Sequence, residues 1–187
     1  MDMKKKRLKI FKDLPTLRCE RFVLRKISAS DLTDVHEYAS NPEVSRYLLW
    51  YPHKTLSYTR QYLKYLEKLY RKGKFYDWGI EFQGKMIGTV GFSSFNFKEN
   101  SAEIGYVLNP DFWGRGIVAE GVSAILKFAF LYLDLSAVEA IFLPENTQSR
   151  RVLEKCNFKY RDKKLVLVKG EYRYVEVFSI SKEDFSL

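Results

Sequence analysis

The chain has 187 residues, 46% of them hydrophobic and 16% aromatic, which suits one well-packed domain and excludes a disordered chain. Its formal net charge of +9 permits an anionic partner without naming one. The longest apolar run, residues 117–133, is broken by Glu120, Ser123 and Lys127, so no membrane span is expected.

Residues 1–16 read as a basic N-terminal extension, with Lys4, Lys5, Lys6, Arg7, Lys9 and Lys12, and residues 17–187 as a single domain. No apolar segment follows the basic start, so it does not read as a secretory leader. A terminal basic run is more often solvated than bound, and direct nucleic-acid binding is not expected. Cys19 and Cys156 have no metal-ligand spacing, and His36 and His53 are isolated. Free thiols, no metal and a cytoplasmic location follow as expectations.

In chain order, residues 21–27 alternate like a half-buried strand, and Ser28 or Ser30 is placed to cap a helix that Asn41-Pro42 breaks. A short second helix is expected over 44–48, followed by an aromatic loop. Residues 56–72 then repeat apolar positions at helical spacing up to Gly73. Three strands follow as an antiparallel meander: 75–83, a turn at Gly84-Lys85, 86–97 and, after a further turn, 102–108. A continuous helix over 117–133 leads to a strand at 137–143, a helix near 147–155 and a final hairpin turning at Lys169-Gly170. The pattern is α+β with a central, mostly antiparallel sheet.

The segment NPDFWGRGIVAEG, residues 109–121, sets Gly114 and Gly116 between a strand and a helix. Such glycines let a backbone approach a ligand while freed helix N–H groups face it. A P-loop is excluded, because no Gly-Lys-Ser/Thr follows. Gly114, Gly116 and Ala119 do fit a dinucleotide fingerprint. However, three antiparallel strands precede it, and the chain after it is too short for a doubly wound sheet. Acyl-CoA carries a pyrophosphate too, and the N–H groups from Gly114 through Arg115, Gly116 and Ile117 to Val118 would converge on it. A tight turn holding nothing stays open beside these readings.

The second motif is PENTQSRRVLEKCNF, residues 144–158. With Glu103, Ile104, Gly105, Tyr106, Leu108, Pro110, Trp113, Gly114 and Gly116, then Asn146, Ser149, Val152, Leu153, Glu154, Lys155 and Phe158, the chain resembles the GNAT acetyltransferases. The similarity is to the branch that acetylates ribosomal-protein N-termini, and it runs from about Leu17 onward. Asn157 stands where that branch has Gly, and Asn tolerates the positive φ such a turn needs. Val118 stands where relatives often have Ala or Met.

The resemblance implies a single domain, helices on both faces of the sheet and a V-shaped splay between two parallel strands. It also implies acetyl-CoA as co-substrate and an amine acceptor. The splay would lie between residues 106–108 and 140–143, with a backbone N–H near Val107 or Leu108 polarising the thioester carbonyl. Trp113, Gly114, Arg115, Gly116, Ile117, Val118, Asn146 and Lys155 are carried over as cofactor contacts. Ser149 is the expected proton donor to the leaving thiolate, because the position that holds tyrosine in many GNAT members is Leu153. A hydroxyl satisfying its own helix turn is the alternative for Ser149, and a simple helix cap for Asn146. Glu103 is the candidate base or a carboxylate fixing a neighbouring turn. Trp50, Tyr51 and His53 lie where relatives border the acceptor groove.

An α-amine is roughly a tenth to a fifth neutral at pH 7, and a lysine amine under about 0.1%, so a weak base suits an N-terminal acceptor. A catalytically idle CoA-binding domain and an acetyltransferase for a small-molecule amine are the alternatives. A monomer and a homodimer are both open.

Overall fold

The structure, a computed structural model, describes residues 9–185. Eight strands form one sheet in the order β1-β2-β3-β4-β5-β6-β8-β7. The strands are β1 (Leu17–Arg18), β2 (Val23–Arg25), β3 (Asp77–Phe82), β4 (Lys85–Asn96), β5 (Ser101–Leu108), β6 (Ala137–Phe142), β7 (Lys159–Val168) and β8 (Glu171–Ser181). Five α-helices connect them: α1 (Leu32–Ala39), α2 (Pro42–Ser45), α3 (Leu56–Arg71), α4 (Ile117–Lys127) and α5 (Thr147–Lys155). The mixed α+β architecture expected from the sequence is therefore present.

Every neighbouring pair of strands is antiparallel except β5 with β6. That parallel ladder runs from Ser101 opposite Ala137 to Ile104 opposite Ala140. Past this point β5 keeps pairing with β4, and β6 with β8, to their ends. The two strands part there, which creates the expected splay.

Local chemistry sets most boundaries. Asn41 accepts from the Glu43 N–H and Pro42 opens α2, so this helix spans Pro42–Ser45 rather than 44–48. Gln83 and Gly84, at φ +50° and +80°, make the β3–β4 turn, and Lys85 already pairs with Phe82. The turn therefore lies one residue before its expected place. The helix over 117–133 is not uniform: it passes into a π turn over Phe128–Tyr132, closed by Leu133 N–H donating to the Phe128 carbonyl. The final hairpin turns at Lys169-Gly170 as expected, and Asn157 adopts φ +63°. Of the basic extension, Lys4, Lys5, Lys6 and Arg7 lie outside the described residues. Phe11 and Leu14, within the same stretch, are buried.

The core is aromatic around Phe11, whose ring lies 4.7 Å from Tyr76, 5.6 Å from Phe95 and 6.1 Å from Trp78 between centroids. Trp78 Nε1 donates to the Pro15 carbonyl at 2.6 Å, fixing that segment against β3. Among the described residues no helix is long and apolar enough to cross a membrane. Both cysteines are free, and burial raises both thiol pKa values.

Asp77 opens β3 opposite Gly91, where a Cβ would sit 2.6 Å from its Oδ1. Among the described residues no cation pairs with this carboxyl, and burial pushes its pKa up to about 7. A raised carboxyl pKa means the folded state holds the proton more tightly than the unfolded chain. Stability should therefore fall as pH rises from about 4 through 7. We expect Asp77→Asn to remove this slope and add roughly 2–4 kcal/mol at pH 8. Denaturant unfolding of both proteins at pH 5 and pH 8 checks it, and parallel pH profiles would sink it.

Candidate active site

The splay opens into a cleft of about 560 Å³. Its walls are the end of β5 (Tyr106, Val107, Leu108), the α2 region, the start of α4 and the first turns of α5. Of the expected contacts, Val107, Leu108, Trp113, Gly114, Gly116, Ile117, Val118, Asn146, Ser149 and Lys155 all line it.

At its α4 end, Gly114 and Gly116 both take φ +73°, which an L side chain adopts only with strain. Gly116 caps α4 without any side chain, so the first-turn N–H groups face the cleft uncapped. A Cβ on Gly114 would meet nothing within 4 Å; one on Gly116 would lie 3.5 Å from Lys155 Nζ and 3.7 Å from an Arg21 nitrogen. Backbone donors, the positive end of a helix and two cations converge there. That donor set fits the pyrophosphate of coenzyme A.

Arg115 does not line the cleft. It donates to the Asp111 carbonyl at 2.6 Å and lies over Phe112, while its own carbonyl accepts from Arg21. Arg21, which nothing in the motif marked, stands near Gly116 instead and is held by Glu120 at 2.7 Å. Trp113 lines the cleft and donates from Nε1 to the Leu108 carbonyl at 2.8 Å, fixing the loop between β5 and α4.

The register of β5 separates the two candidate backbone donors. Asn109 N–H donates to the Ile87 carbonyl, so Val107, two residues earlier, also turns toward β4. Leu108 faces the opposite way, into the splay.

Asn146 accepts from the Ser149 N–H at 3.1 Å and caps α5, which holds Ser149 in the first turn with its hydroxyl buried. The Tyr106 phenol lies 2.6 Å from Ser149 Oγ. Burial pushes that phenol pKa well above its ordinary range, against a smaller opposing effect of the Ser149 hydrogen bond, so it keeps its proton. Leu153 is fully buried in the core. The Tyr106 hydroxyl reaches Ser149 from strand β5. Its partner is 43 residues away in sequence, and no local spacing signals it.

Glu103 does not line the cleft. It sits just below the last paired position of β5 and β6, where Ser93, the extra residue of a β4 bulge, donates to its Oε1 at 2.9 Å. Lys164 donates to its other oxygen at 3.3 Å.

Trp50, Tyr51 and His53 also lie outside the lining. His53 is buried among the rings of Trp50, Tyr58 and Tyr62, with Nδ1 3.0 Å from Thr59 Oγ1. Burial, then the charge of His36, pushes its pKa down. Tyr51 donates to the Lys169 carbonyl at 3.2 Å, and Lys169 Nζ donates to the Ser45 carbonyl at 2.7 Å. The β7–β8 turn is thereby tied to the segment that carries Val44 and Tyr47 into the cleft. Among the described residues no cluster of His, Cys, Asp and Glu is arranged for a metal ion.

The acetyltransferase (GNAT) domain model matches residues 21–159. An uncharacterized N-acetyltransferase, p20 of Bacillus licheniformis, is 30% identical over 92% of this chain and 99% of its own. Another, YoaA of Bacillus subtilis, is 32% identical over 77% of this chain and 82% of its own. A GNAT-family acetyltransferase structure from Bacillus anthracis superposes with a TM-score of 0.78, at 27% identity, over 90% of this chain and 99% of that one. With the uncapped α4 terminus at the mouth of the splay, these matches place the chain in the GNAT family, as an N-acetyltransferase that takes acetyl from acetyl-CoA.

Proposed function

We propose that the chain acetylates polypeptide α-amines in the cytoplasm, those of ribosomal proteins among them. The observation that carries this reading is the cleft's pairing of hydroxyl donors with an absence of unpaired carboxylates. Of the carboxylates lining it, Glu43 lies 3.8 Å from Arg46 and Glu145 2.6 Å from Arg173. Arg151 and Lys155 add positive charge to the same walls. Such a surface disfavours a polyamine. It lacks a strong base within reach, and an α-amine needs little help to lose its proton at neutral pH.

Acetyl-CoA supplies the acetyl group as a thioester, whose cleavage releases a thiolate. The α4 N–H groups, Lys155 and Arg21 bind the phosphates and fix the donor along the cleft. The Leu108 N–H, turned into the splay, donates to the carbonyl oxygen as the amine nitrogen bonds to the carbonyl carbon and the C–S bond breaks. Ser149 gives its proton to the sulfur, Tyr106 restores it to Ser149 across their 2.6 Å contact, and solvent entering the cleft as CoA leaves returns a proton to Tyr106. The amine proton passes to solvent. Glu103 clasps β5 through Ser93 and Lys164, so Glu103→Gln should keep kcat within about threefold and leave its pH profile unchanged. A lost limb in that profile would make Glu103 the base.

Gly116→Ala should raise KM for acetyl-CoA at least about tenfold and change kcat little, since its Cβ enters the phosphate approach at a strained φ. An unchanged KM would contradict the assigned phosphate site.

The acceptor is tested by mass spectrometry of peptides that carry both an α-amine and an internal lysine, beside spermidine and aminoglycosides. Acetyl on the α-nitrogen alone is the expected result. Transfer confined to lysine Nε, or to a small amine, would overturn the reading.

A further inference from the structure

Helix α3 buries Thr59, Leu63, Leu66 and Tyr70, packs Tyr62 and Leu69 half-buried against the core, and turns its other side chains to solvent. Between residues 54 and 74 there are seven cations, Lys54, Arg60, Lys64, Lys68, Arg71, Lys72 and Lys74, against one acid, Glu67. This segment holds most of the chain's net charge. Arg60, Lys64, Lys68 and Lys72 recur every fourth residue, so they form one ridge with steps of about 6 Å. Glu67 is engaged by Arg71, and among the described residues none of the four ridge cations has a carboxylate partner. Tyr65 stands between Lys64 and Lys68 with 57% of its surface exposed, and Tyr58 lies two turns earlier at 56%.

We propose, against the sequence expectation that nucleic acid is not bound directly, that this face of α3 docks unpaired RNA. The cationic ridge tracks the phosphates, and Tyr65, with the outer face of Tyr58, offers a surface on which bases stack. A lipid surface fits less well, because the apolar side of α3 is already buried against the domain and its outward side carries no aliphatic stripe. The choice of RNA among polyanions rests on the acceptor reading above, since a ribosomal protein presents its N-terminus beside RNA. The face lies on a different element from the cleft, so docking leaves the cleft free.

The test is fluorescence anisotropy of a labelled single-stranded RNA of mixed sequence, titrated with the full chain at several salt concentrations. A log–log salt slope of about −3 is expected for four phosphate contacts on a single strand. Arg60→Glu, Lys64→Glu, Lys68→Glu and Lys72→Glu combined should weaken binding at least about 30-fold and flatten the slope, with the acetyl-CoA thermal shift intact as proof of folding. Tyr65→Ala should weaken it at least about fivefold, and duplex RNA should bind less tightly than the single strand. Undiminished binding by the fourfold variant overturns the proposal, as does equal affinity for polyglutamate or duplex RNA. Capture by phosphatidylglycerol vesicles with no RNA binding also overturns it. Because no acceptor is present, failure here leaves the peptide assay to decide the acceptor by itself.

Discussion

Ser149→Ala is expected to lower kcat by about 10²-fold while KM for acetyl-CoA stays within about threefold. The substitution removes only the hydroxyl. The Ser149 N–H that Asn146 accepts remains, so α5 keeps its cap and the cleft its wall. Tyr106→Phe leaves the serine in place but removes the group that refills it, and a smaller loss of about tenfold is expected. Because the two hydroxyls act in series, the double variant should be no slower than Ser149→Ala alone. Steady-state rates for the three variants decide it. If Ser149→Ala keeps more than about a third of wild-type kcat, neither hydroxyl protonates the thiolate in the rate-limiting step. If the two losses instead multiply, the hydroxyls act separately.

Phe11→Ala should destabilise the protein by about 3–5 kcal/mol, the cost of truncating a fully buried phenylalanine. Five rings surround this side chain, from Tyr76 at 4.7 Å to Phe128 at 6.4 Å, and they cannot all close the gap. For a domain of this size that lowers Tm by roughly 10 °C. Thermal unfolding measures it, with Lys12→Ala, an exposed neighbour, expected to stay within about 0.5 kcal/mol of wild type. A Phe11→Ala protein with unchanged Tm would mean that the segment before β1 is an appendage.

Phe11 also shows where sequence reading reaches its limit. It stands among Lys9, Lys12 and Asp13, and no periodicity distinguishes one apolar side chain in a basic stretch from a solvated one. The residues legible in the sequence are those whose roles are local. Gly114 and Gly116 announce a positive-φ turn before a helix, Asn146 announces a cap, and Ser149 follows three residues later in that helix. The splay came from the family resemblance alone, since neither strand alternation nor the order of elements marks where β5 and β6 part. Tyr106 and Arg21 meet partners far along the chain, Ser149 for one and Arg115 for the other, and only the fold brings each pair together. Arg115 shows the converse. The resemblance carried it over as a cofactor contact, yet its guanidinium turns back to the Asp111 carbonyl and the Phe112 ring. The π turn after Lys127 left no mark in an apolar pattern that suits either helix.

Every cofactor role assigned above depends on acetyl-CoA binding at the Gly114–Gly116 junction. Thermal unfolding of the wild type and Gly116→Asp, with acetyl-CoA, CoA and NAD titrated separately, tests it most directly. At ~100 times its dissociation constant a ligand adds about 2.7 kcal/mol, which raises Tm by roughly 5–10 °C here. That rise is expected for acetyl-CoA and CoA with the wild type, none with NAD, and its loss in Gly116→Asp, whose carboxylate would meet the phosphates. No shift with either CoA species, or a shift that Gly116→Asp leaves intact, would contradict it.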